Sequence, residues 1–165
     1  MDLTDSLYQE LKGCANRLLA GQNGCITLQS TEIVHEACLK VYESNQAFNN
    51  KAHVYRCAAK AMRHLLIDHA RAKSSKKRTP AFMTQSLTTL LNNNDENLGL
   101  FTIDKTLEEM NELGERTVNI AELHYFASFS QKEIAKHLEI GLATVERELK
   151  FARAFITDKL LQSHA

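Results

Sequence analysis

The sequence has no tryptophan, a single proline and only six glycines in 165 residues. So few breakers exclude a loop-rich or collagen-like chain, and no run alternates apolar and polar residues as a half-buried strand would. Four cysteines, Cys14, Cys25, Cys38 and Cys57, have no CxxC spacing and no neighbouring histidine pair. Neither a zinc knuckle nor a disulfide framework is therefore expected, and the thiols are read as reduced, in the cytoplasm. His64 and His69 are five apart and fall on different helix faces, a poor metal site. The opening MDLTDSLYQELK is acidic and amphipathic, unlike a signal peptide, and no apolar run reaches membrane-spanning length. A phosphate-cradling glycine loop, a nucleophile elbow and a convergent carboxylate pair are all missing, so no enzyme, cofactor or metal is expected.

Net charge is also missing: 20 basic residues balance 20 acidic ones. Only local segregation of charge can then supply a surface for nucleic acid. Such segregation is present. Between Lys60 and Arg78, seven basic residues face only Asp68, whereas from Asp95 to Glu122 eight acids face only Lys105 and Arg116. The two blocks have opposite sign and similar size, so the second can hold a basic surface of a partner or of this chain's own other half.

What remains is helical in pattern, and the expected fold is all-α. Two small helical domains are read: an N-terminal three-helix bundle over residues 1–73 and a C-terminal four-helix domain over 98–165, joined by a flexible linker over 74–97. Leu3, Leu7, Leu11, Ala15, Leu18 and Leu19 mark a first helix that Gly21 to Gly24 ends. A second starts near Ser30, and a third runs from about Lys51 to Ala72 with Tyr55, Ala58, Ala59, Met62, Leu65, Leu66 and His69 as its buried stripe. Arg56, Lys60, Arg63 and Arg71 share another face of that helix, a stripe suited to a phosphate backbone. Within the linker, which holds the only proline and an Asn-rich run, Leu87, Leu90 and Leu91 are spaced for a brief helical turn.

The most specific stretch is Ser130 to Leu161. Ser130 followed by Glu133 is a capping box, so a short helix is expected to start there and to end near Leu138. Glu139-Ile140-Gly141 forms the turn, and a longer helix resumes at Leu142 with Val145, Leu149, Ala152, Phe155 or Ile156, and Leu160 turned inward. This is the pattern of a helix-turn-helix, whose second helix enters the major groove by its N-terminal part. That part carries Ala143, Thr144, Glu146, Arg147 and Lys150. Glu146 and Glu148 are expected on the same face, where they repel phosphate, although a glutamate also accepts a hydrogen bond from cytosine.

In order, separation and total length these segments resemble the small extracytoplasmic-function (ECF) sigma factors of the sigma-70 family. TLQSTEIVHEACLKVYES is similar to the family's helix that docks on the polymerase clamp, and AHVYRCAAKAMRHLLIDHARAKSSKKR to the one that engages the promoter minus-ten region. The C-terminal stretch from Glu115 to Leu160 looks like the domain that reads the minus-thirty-five element. The resemblance implies that Glu32, Ile33, Val34, His35 and Glu36 contact RNA polymerase. It further implies that Phe48, Asn49 and Asn50 lie in the loop that captures a flipped base, that Phe48 and Tyr55 stack on bases, and that Arg56, Lys60 and Arg63 hold the single strand. The implied partners are the bacterial RNA polymerase core, promoter DNA and, as in other members, an anti-sigma protein. The alternative is a stand-alone helix-turn-helix transcriptional regulator that binds paired half-sites as a dimer.

Overall fold

A computed structural model describes residues 5, 8–10, 12–13, 35–36, 38–39, 43, 51–73, 85–91 and 96–163. The chain is all-α, as its periodicity predicts. Six helices follow one another in the continuous part: α1 (Lys51–Lys73), α2 (Gln85–Leu91), α3 (Glu96–Leu113), α4 (Glu115–Tyr125), α5 (Gln131–Leu138) and α6 (Leu142–Ser163). The described positions before them are helical as well. No helix among the described residues is long and apolar enough to cross a membrane.

α6 lies along both α3 and α4, and these three helices form the body of the C-terminal half. Their apolar faces meet through Leu100, Ile103, Leu107 and Met110 of α3, Val118, Ile120, Ala121 and Leu123 of α4, and Val145, Leu149, Ala152, Ile156 and Leu160 of α6. Removing side chains of this size from water stabilises by roughly 1.5–3 kcal/mol each before chain entropy is set against it. Where the sequence left two candidates, Ile156 is fully buried and Phe155 only partly, stacked instead on the exposed Phe151.

One part of the arrangement goes beyond expectation. The stretch read as a flexible linker contains α2, and Leu87, Leu90 and Leu91 are all core residues. Three leucines within five residues need only two turns of helix to face one way, and apolar area decides the outcome over the polar flanks. Gly99 of α3 leaves room for this packing, because a Cβ there would fall 2.3 Å from Leu91 Cδ2. The rest of the expected linker lies outside the described residues.

α1 packs on α3 and α4 and touches α5. Val54, Tyr55, Ala58, Ala59, Ala61, Met62 and Ile67 make its buried stripe; of the expected positions Tyr55, Ala58, Ala59 and Met62 belong to it, Leu65 is half-buried, and the side chains of Leu66 and His69 lie outside the described ones. The Tyr55 ring sits edge-on to Phe129 at 5.2 Å and against His137 at 4.4 Å, joining α1 to the start of α5 and to its last turn. Cys38 and Cys57 are half-buried against the core, and burial pushes both thiols up from their ordinary pKa, as suits small apolar packing groups rather than reactive ones.

Candidate nucleic-acid interface

The helix-turn-helix is built from local rules that the sequence carries. Ser130 caps α5: its Oγ accepts from Glu133 N at 3.2 Å, while Glu133 Oε2 accepts from Ser130 N at 2.7 Å, so both halves of the capping box are present. Ile134 is buried, and the half-buried Ala135 and Leu138 pack beside it. At the other end Glu139 takes the left-handed conformation, φ 54° and ψ 42°. Ile140 N then donates to Ala135 O at 3.0 Å and Glu139 N to Lys136 O at 3.4 Å, closing the helix in the Schellman manner. This position usually favours glycine, so Glu139 holds a strained backbone to fix the angle between α5 and α6. Gly141 follows, and its carbonyl accepts from Thr144 N and Val145 N as the first acceptor of α6.

The N-terminal half of α6 therefore projects from a rigid corner. Ala143, Glu146, Arg147 and Lys150 are exposed, and Thr144 is half-buried. All five expected recognition residues thus lie on the first three turns of α6. They do not share one face. Glu146 and Lys150 line an open cavity of ≈ 340 Å³ together with His124, Gln131 and Arg153. Arg147 faces a neighbouring hollow against Gly114, Thr117 and Phe151.

Glu148 departs from its expected place on the reading face. It turns toward α4, where Oε1 accepts from Arg116 Nη2 at 2.6 Å and Oε2 from Thr117 Oγ1 at 2.5 Å. These bonds, the Thr117 hydroxyl first and Arg116 next, hold its carboxyl below the usual glutamate pKa. Its charge is consequently absorbed within the fold, leaving Glu146 as the one acid among the expected recognition residues. Arg153 and Gln131 went unremarked in the sequence. The signal for Arg153 is its spacing, seven residues after Glu146 and three after Lys150, which returns it to the same face.

Beneath this surface, His124 Nδ1 donates to Phe129 O at 3.0 Å and holds the chain leading into α5. Burial lowers the His124 pKa more than this bond raises it, so the neutral ring is favoured.

The α1 residues expected to hold a single strand are placed unequally. Lys60 is exposed and Arg56 half-buried. Arg63 is only 3 % exposed, with Nη1 2.8 Å from Glu122 Oε1 and Nε 3.2 Å from Asp104 Oδ1. In this arrangement it is an internal counter-ion and presents nothing to a ligand. Tyr55, expected to stack on bases, is likewise buried at 1 % exposure. Both follow from the packing of α1 on the C-terminal helices: Arg63 meets the acids of α3 and α4, and Tyr55 meets Phe129 and His137 at α5. Of the expected polymerase contacts, His35 and Glu36 are helical and exposed. Glu32, Ile33, Val34, Phe48, Asn49 and Asn50 lie outside the described residues.

A family model described as ECF sigma factor matches residues 1–162. Comparison with curated proteins and with solved structures gives no match.

Proposed function

From the premise that this chain belongs to the ECF sigma factor family, we propose that it docks on the core of bacterial RNA polymerase and directs it to promoters with two separate DNA-engaging surfaces. One is the N-terminal half of α6, which reads the upstream element. Arg147, with five donors in a fixed fork, suits a guanine edge, Glu146 suits a cytosine amino group, and Lys150 and Arg153 suit phosphate. The other is the basic stripe of α1, which engages the strand opened at the downstream element. His35 and Glu36, with Glu32, Ile33 and Val34 next to them in sequence, form the docking surface for the polymerase.

The observation that carries this reading is the corner between α5 and α6. A complete capping box and a left-handed turn residue fix two helices rigidly, and four exposed side chains stand on the leading turns of the second. Sigma factors catalyse nothing themselves; binding and positioning are the whole task.

Co-purification of the full chain with core polymerase tests the proposal. One chain is expected per polymerase, and charge reversal at Glu32 and Glu36 is expected to weaken the complex by about tenfold or more, an effect of roughly 1.4 kcal/mol. A dimer that binds paired operator half-sites and ignores the polymerase would establish the stand-alone regulator instead.

A further inference from the structure

Arg63 is among the most enclosed charges of the molecule, and it is enclosed by acids from the other half of the chain. Its guanidinium spans Glu122 of α4 and Asp104 of α3, whose side chains are 4 % and 15 % exposed. Around this pair lies a groove of ≈ 420 Å³ between α1 and α3–α4, lined by Lys60 and His64 on one side and by Glu108, Glu115, Asn119 and Glu122 on the other. Two nitrogens of an arginine facing two carboxylates reproduce what the same side chain meets on a phosphate backbone.

The contact is incompletely satisfied. Among the described residues, the buried side-chain polar atoms without a hydrogen-bond partner are Tyr55 Oη, Arg56 Nε, Arg63 Nε and Asp104 Oδ1. The first three are on α1, and the fourth is the atom that Arg63 Nε approaches without hydrogen-bond geometry. A buried polar group without a well-formed hydrogen bond weakens the contact that encloses it. Two of the four, Arg63 Nε and Asp104 Oδ1, therefore face each other at 3.2 Å where α1 meets α3, in an ion pair of poor hydrogen-bond geometry. Glu122 adds to this: burial raises its pKa more than Arg63 lowers it, so its charge is held at a cost. The apolar stripe of α1 and the two ion pairs of Arg63 keep the junction closed, while the desolvation of Glu122 and the poor geometry at Asp104 keep that closure shallow.

We propose that the acidic face of α3 and α4 is an internal stand-in for nucleic acid, and that the Arg63–Glu122–Asp104 contact is an autoinhibitory latch that must open before α1 can engage a DNA strand. The proposal rests on the reading of α1 as a strand-binding helix, given above. Its logic is an exchange: the groups that leave Arg63 on opening are replaced by phosphates. A latch closed about nine-tenths of the time lowers the apparent affinity for the strand about tenfold.

The test uses the full chain and a fluorescein-labelled single-stranded DNA oligonucleotide, read by fluorescence anisotropy. Asp104→Asn with Glu122→Gln is expected to bind about tenfold more tightly than the unmodified chain. Glu112→Gln with Asp158→Asn removes the same charge from exposed positions away from Arg63, and is expected to change affinity less than about twofold. An equal gain from both pairs, or none from the first, overturns the latch. Should the first pair fail to fold, a second arm decides. In a chain with its four cysteines replaced by serine, His64→Cys and Asn119→Cys are joined across the groove by a bismaleimide. The joined chain is expected to lose strand binding at least about tenfold relative to the same chain unjoined; equal binding by the two, or failure of the residues to join, overturns the latch. Neither arm contains polymerase, so failure of the chain to dock on it would sink the sigma reading while these results still decide the latch.

Discussion

Arg63 Nη1 lies 2.8 Å from Glu122 Oε1, and both side chains are 4 % exposed, a charge pair drawn from halves of the sequence 59 positions apart and enclosed where α1 meets α4. Pairs so enclosed contribute little when intact and matter a great deal when halved.

Arg63→Met is therefore expected to destabilise the chain by about 3 kcal/mol in denaturant unfolding near neutral pH, because it leaves Glu122 and Asp104 without the guanidinium that pairs with both. The loss has a pH signature. Glu122 already has a raised pKa in the folded chain, and removing Arg63 takes away its principal lowering influence. A carboxyl with a raised folded pKa weakens the fold while ionised and stops doing so once protonated. The deficit of Arg63→Met is expected to shrink as pH falls through that raised value. A deficit that stays constant from neutral to acid pH would contradict the assignment.

Glu148 has the opposite sign. Thr117 and Arg116 hold its folded pKa below the ordinary value, so its contribution is complete above the unfolded pKa and disappears as pH falls through the folded one. Glu148→Gln is expected to lower the thermal midpoint at neutral pH, with the difference from the unmodified chain closing in acid. Since Glu148 faces α4, the change is not expected to strengthen DNA binding, whereas Glu146→Gln, on the exposed face, alters base preference at one position.

The corner of the helix-turn-helix has two separable supports. Ser130→Ala removes the cap and is expected to cost about 1 kcal/mol. Glu139→Gly relieves the left-handed backbone and is expected to stabilise by roughly 0.5–1 kcal/mol, the strain removed less the extra chain entropy of glycine. Chemical denaturation of the two variants and of their combination tests both, with near-additive effects expected for residues at opposite ends of α5.

Arg147→Ala is expected to weaken upstream-element binding by about 1–3 kcal/mol and relax its sequence preference, with polymerase docking intact. Equal loss of both activities would mean that this side of α6 serves the polymerase rather than DNA.

Much of this was legible before any coordinates. The capping box and the start of α6 follow from short-range rules, and the buried stripe of α6 and part of that of α1 follow from periodicity. Charge segregation was legible too, including the capacity of the acidic block to hold a basic surface. What could not be read were the pairings over long separations. Nothing local distinguishes Arg63 from Arg56 or Lys60 as the residue that meets Glu122, nor Glu148 from Glu146 as the acid that turns toward Arg116. One helical position, about 100°, separates a solvent-facing side chain from one that meets a neighbouring helix. The helical turn at Leu87, Leu90 and Leu91 was legible but its place in the core was not, for a related reason: a seven-residue helix is marginal alone, and only packing against the rest of the core makes it form.

The central claim is that this chain gives a polymerase its promoter. Its most direct test is run-off transcription by purified core polymerase on a pool of templates with randomised upstream and downstream elements, with and without the full chain. The expected result is initiation only when the chain is present, enriched for templates sharing two elements at fixed spacing, with Arg147→Ala erasing the preference at the upstream one. Initiation equal in both reactions, or enrichment of a single palindromic element without added initiation, would contradict it.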